Sequence, residues 1–132
     1  GRLNEAERIS KDMLEKISRS QSGYEAVGGR TAAYILAYIN HLFYKNTSEA
    51  KKYYQQAIDF AKQTNATNAG YYWSSVLGLA KIATDEKDYD LAQTYFKEVL
   101  DKADRKSSQH KEAKKALDDA KKARREERRK RG

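Results

Sequence analysis

Between Lys87 and Ala103 the apolar side chains fall at Tyr89, Ala92, Tyr95, Phe96, Val99, Leu100 and Ala103. Their separations of 3, 3, 1, 3, 1 and 3 residues suit a helix of about 3.6 residues per turn with one buried face. A strand, whose side chains alternate, cannot use them. The same spacing recurs along the chain. Leu3, Ala6, Ile9, Met13, Leu14 and Ile17 share a face of a helix predicted over residues 2–19. The run "RTAAYILAYINHLFY" from Arg30 to Tyr44 is too long for an ordinary strand and reads as a helix buried on most of its surface. Ala50, Tyr53, Tyr54, Ala57, Ile58 and Ala61 turn inward on a helix ending at Gln63, with Ser48 as its expected N-cap. Trp73, Val76, Leu77, Leu79, Ala80 and Ala83 mark another, from Tyr71 to Thr84. A last helix, over residues 109–123, carries Ala113, Ala116, Leu117 and Ala120, and is expected to dissolve into a basic tail at 124–132.

Composition agrees with helices. The 132 residues include no proline and only seven glycines, which a turn-rich β fold would rarely tolerate. Length and apolar content fit one modest core. Breaks are expected at "SRSQSG", at Gly28–Gly29 and at "TNATNAG" (64–70). The absence of cysteine removes disulfides, thiolate metal sites and cysteine nucleophiles. No run of about 18 apolar residues is present to span a bilayer, and no signal peptide opens the sequence. The compartment stays open: cytoplasmic, or bacterial periplasmic or lipid-anchored should a signal lie upstream.

The net charge of +8 is uneven. Residues 1–110 hold 16 basic and 14 acidic side chains, whereas residues 111–131 hold 11 and 5. The excess is carried by Lys121, Lys122, Arg124, Arg125, Arg128, Arg129, Lys130 and Arg131. Nucleic acid, a ribosome or an anionic surface would answer such a segment, and so would an acidic protein. The plainer reading is a solvated, frayed helix end, with Glu126 and Glu127 interrupting the cations.

Catalytic patterns are missing. His41 and His110 are isolated and lack neighbouring ligands, so each reads as structural or surface. Ser74–Ser75 has no nucleophile elbow. "GYEAVGG" has no phosphate-loop spacing. The acidic turn Asp85, Glu86, Asp88 and Asp90 lacks a calcium-loop pattern. Asn46-Thr47-Ser48 and Asn65-Ala66-Thr67 fit the glycosylation sequon, which arises easily by chance. No enzyme, metal or cofactor is expected. The clustered rings of Tyr34, Tyr38, Tyr44, Tyr53, Tyr54, Tyr71, Tyr72 and Trp73 serve either packing or a binding surface.

The helices also repeat. "GRLNEAERISKDML", "NTSEAKKYYQQAI" and "KDYDLAQTYFKEVL" align on Ala6, Ala50 and Ala92, at separations of 44 and 42 residues. Ala50/Tyr54 and Ala92/Phe96 share an Ala-x3-aromatic spacing. This pattern resembles the tetratricopeptide repeat, with repeats longer than usual, no terminal proline, and Ala37-Tyr38 and Leu79-Ala80 where the family has Leu-Gly. The resemblance covers residues 1–104. It implies an all-α, right-handed solenoid of antiparallel helical hairpins: the second helix of a first repeat at 2–19, repeats at 30–63 and 70–104, and a capping helix at 109–123. Such long-looped repeats are similar to those of bacterial exported lipoproteins and sensor modules. By the same resemblance the role is a non-catalytic scaffold that binds a protein or peptide in a groove. The groove positions would be Ile35, Ile39, Leu42, Ser74, Leu77, Lys81 and Thr84, with an upstream repeat as their alternative cover. Pairing of the first helix with a second copy, giving a homo-oligomer, is a further expectation.

Overall fold

A computed structural model describes the backbone of residues 1–18, 23–63 and 70–131, and the side chains of residues 1–16, 31–63 and 71–131. All the described secondary structure is helical: α1 (Arg2–Ser18), α2 (Gly23–Leu42), α3 (Thr47–Gln63), α4 (Gly70–Asp85), α5 (Tyr89–Lys102) and α6 (Ser108–Arg131). Of the expected breaks, residues 19–22 and 64–69 lie outside the described residues, as do the second sequon and the Ile17 side chain. The chain divides into two compact units, Gly1–Ser75 and Val76–Gly132.

In the first unit α2 packs against both α1 and α3. The expected break at Gly28–Gly29 is absent, because α2 runs unbroken from Gly23. Each glycine inside a helix costs about 1 kcal/mol relative to alanine, and the apolar run that follows offsets this by burial. Ala32, Ala33, Leu36, Ala37 and Ile39 are buried. So is Asn40, whose amide donates to the Leu36 carbonyl at 2.8 Å. The six residues expected to face inward on α3 are all buried. Its cap differs from expectation. The Asn46 side chain, not Ser48, accepts the Glu49 N–H at 3.4 Å, and the helix starts at Thr47. An amide oxygen does the same capping work as a hydroxyl, so the start moved by two residues.

Helix α1 departs further. Leu3, Ala6 and Leu14 are half-buried and Ser10 is buried, whereas Ile9 and Met13 are exposed. The packed stripe therefore runs 3, 6, 10, 14, and Ser10 is its most buried member.

In the second unit α5 packs against α6. Asp88 caps α5 by accepting the Leu91 N–H at 3.4 Å. Phe96 and Val99 are almost wholly enclosed, beside Ala92 with no exposed surface. Ala113, Leu117 and Ala120 form the buried face of α6, and Ala116, also expected inward, is half-buried. Ser107 opens α6 by accepting the His110 N–H at 3.1 Å. The expected unwinding after residue 123 does not occur, since α6 is helical to Arg131. Ala, Lys, Arg and Glu are strong helix formers, and Glu127 pairs with Arg131 four residues on. No described helix is long and apolar enough to cross a membrane.

Candidate binding surfaces

Two surfaces stand out, one in each unit. In the first unit, the start of α1 and the end of α2 enclose an open groove of about 510 Å³. Arg2, Leu3 and Ala6 form one wall, and Tyr34, Ile35, Tyr38, Ile39 and Phe43 the other. The two walls are pinned by a hydrogen bond from the Tyr44 hydroxyl to Asn4 Oδ1 at 3.0 Å. The walls expose almost nothing polar, and Arg2 is their one charged residue. Partial desolvation, then the nearby Glu7 carboxylate, holds the Tyr44 phenol above its ordinary value. Glu7, by hydrogen bond and charge, likewise raises Lys11.

Rings stiffen the α2 wall. Tyr34 lies 4.9 Å from Tyr71, 6.1 Å from Tyr38 and 6.2 Å from Tyr54, all tilted. Their centroid separations lie within the range of attractive ring contacts. His41 is held by Tyr54 as well, with 3.0 Å between Nδ1 and the hydroxyl and an edge-on ring contact. That is the structural role expected of it.

The seven expected groove residues are only partly gathered here. Ile35 and Ile39 line the groove, although Ile39 is itself only 3% exposed. Leu42 is exposed at the end of α2, and Ser74 is half-buried on α4. In the second unit Leu77 is buried, so it cannot meet a partner. The Thr84 hydroxyl donates to the Ala80 carbonyl at 3.0 Å. Lys81 pairs with Glu112 of α6. Arg2, Leu3 and Ala6 were not expected as groove residues. Leu3 and Ala6 carry an ordinary packing signal, and only the approach of α1 to α2 turns them into a wall.

In the second unit, the α4–α5 turn and the end of α6 form a cleft of about 160 Å³ lined by Lys87, Tyr89, Arg124, Glu127, Arg128 and Arg131. Arg124 pairs with Asp90 at 2.7 Å, and Lys87 with Glu127 at 3.3 Å. Of the expected tail residues, Arg124, Arg128 and Arg131 gather at this cleft; Lys121, Lys122, Arg125, Arg129 and Lys130 stand exposed on α6. Lys87 and Tyr89 were not expected there. Among the described residues, no group of three or more His, Cys, Asp or Glu side chains could hold a metal ion.

Comparison with known proteins finds no matching family model, and neither a curated protein nor a solved structure that matches the chain.

Proposed function

We propose that this chain is a non-catalytic, tetratricopeptide-like scaffold that captures a segment of another protein in the α1–α2 groove. The observation that carries it is an apolar groove on a chain that is 35% charged. Exposed apolar surface of this kind is characteristic of interaction sites. The occupant is a peptide segment with aliphatic or aromatic side chains and a carboxylate. The apolar groups fill the groove, and the carboxylate complements Arg2, for which no ion pair is present among the described residues. A groove held by the Tyr44–Asn4 bond and the Tyr34 ring cluster is already ordered, which lowers the entropic cost of binding.

Support for the stacked-hairpin arrangement comes from the repeat itself. Ala50/Tyr54 and Ala92/Phe96 are buried at matching positions of α3 and α5, as close helix crossings with an adjacent ring would require.

Selection of a random-peptide display library on the full chain tests this reading. Enriched peptides should pair apolar residues with Asp or Glu. Their binding should be lost in Phe43→Glu, which sits on an exposed position, and the acidic preference should reverse in Arg2→Glu. Peptides that bind Phe43→Glu equally well would overturn the groove. So would a dimer in sedimentation that Phe43→Glu dissolves, since a second copy would then be the occupant.

A further inference from the structure

Lys87 adopts a left-handed backbone, with φ of 64°. It ends α4 in a tight reversal, where its own N–H donates to the Thr84 carbonyl at 3.0 Å and the Asp88 N–H donates to Ala83 at 2.9 Å. Glycine is the usual residue at such a position, and Lys45 is the other described lysine with a left-handed backbone, at φ of 55°. Its ammonium reaches the cleft that Arg124, Arg128 and Arg131 also line. Of the lining residues Lys87, Arg124, Arg128 and Arg131 are cationic and Glu127 is anionic, Asp90 pairs with Arg124 from outside the lining, and the turn that carries Lys87 also holds Asp85, Glu86 and Asp88. The lining itself is therefore net positive, most strongly on the α6 side. Among the described residues Arg128 has no ion pair.

Arg128 also belongs to a row of cations on α6. Lys121, Arg125 and Arg128 follow at spacings of four and three residues, which places one cation on each successive turn of a single side. Glu126 lies about 100° around the helix from Arg125. The three cations span roughly 10 Å of helix axis, comparable to about three phosphates of one duplex strand.

We propose that the α6 face and its cleft bind the phosphate backbone of double-stranded nucleic acid, with Lys87 and Arg128 donating to phosphate oxygens in the cleft. The regular pitch of the cations favours a polymer with regularly spaced phosphates. Guanidinium groups match phosphate with two parallel N–H bonds. No aromatic residue occurs in α6 and Tyr89 is the single ring lining the cleft, whereas single-strand binding stacks successive bases on several rings. Its basic turns carry no exposed apolar side chain, unlike a helix that embeds in a lipid interface. The proposal is independent of the α1–α2 groove, because it uses the other unit.

Fluorescence anisotropy of the full chain with a labelled DNA duplex tests it. With about four phosphate contacts, affinity should fall on the order of 100-fold between roughly 50 and 200 mM salt. In Lys87→Gly/Arg128→Gln that fall should shrink to about tenfold, with weaker binding at low salt. Glycine suits the left-handed position, so circular dichroism should show the variant folded, and Arg128→Gln alone, at an exposed site, gives a smaller change in the same direction. Removing as much charge from the first unit, in Lys16→Gln/Lys62→Gln, should leave binding unchanged. Equal loss in that control would overturn the cleft in favour of bulk charge. Undiminished binding by Lys87→Gly/Arg128→Gln would overturn it too. Preference for anionic vesicles or polyglutamate over the duplex would overturn nucleic acid as the ligand.

Discussion

The two units bury their helices in the same way and present different surfaces to solvent. Among the described residues, the exposed large apolar side chains Ile9, Met13, Tyr38, Leu42, Phe43, Tyr44 and Tyr71 all belong to the unit ending at Ser75; only Leu91 belongs to the other. The second unit exposes charge instead, most densely along α6. Alanine contacts serve both cores: Ala50, Ala57 and Ala61 in one, Ala92, Ala113 and Ala120 in the other. A helix needs only a stripe of its surface to pack. The remainder is free to specialise, toward apolar capture in one unit and toward cation display in the other.

The likeness of the cores can be broken first. Phe96→Ala should destabilise the second unit by about 3–5 kcal/mol, measured by denaturant unfolding. A loss well below this range would mean that Phe96 does not anchor that core. Next, Ala50→Leu and Ala92→Leu should each cost about 1–3 kcal/mol by overpacking. Similar losses sharpen the parallel between α3 and α5, and a neutral result at either position ends it. Removing the α5 cap in Asp88→Ala should cost roughly 1 kcal/mol, a change legible in the thermal midpoint.

The contrast between surfaces gives smaller effects on stability. Phe43→Ser, at an exposed groove residue, should change stability by no more than about 0.5 kcal/mol; a larger loss would make the groove part of the core. Smallest is the titration of Tyr44. Its phenol is raised, so the folded state holds that proton more tightly than the unfolded chain. The resulting stability is present below the ordinary tyrosine value of about 10 and is lost as pH rises through the higher folded value. Lys11 is raised also and acts in the same direction. A difference ultraviolet titration of the protein against Tyr44→Phe should show a phenol ionising above the ordinary range.

Helix positions were legible wherever a stripe was strong. On α3 the periodicity identified every buried residue, and on α4 Trp73, Val76, Leu77, Leu79, Ala80 and Ala83 are all buried as expected. The errors have local physical reasons. Gly28 and Gly29 looked like a break, but a glycine lowers helix propensity without forbidding the helix. The end of α6 looked frayed because its apolar residues run out. The ion pairs of Arg124 with Asp90 and of Lys87 with Glu127 join residues that are more than 30 apart in the sequence, and no local pattern contains them. On α1 the spacing allowed Ile9 and Met13 to face inward, but Ser10 is the buried residue and those two are exposed.

By itself the amino-acid order determined a helical chain, because the repeat distance of its apolar residues is a local property that each segment carries alone. It also determined which residues could be buried and that positive charge concentrates toward Arg131. Tertiary packing decided which side of each helix became a surface. Leu3 and Ala6 line a groove only because α1 lies against α2, and Arg128 shares a cleft with Lys87 only because α6 returns to the turn before α5. Those encounters depend on how helices cross, and crossing is set by the fit of side chains far apart in the chain.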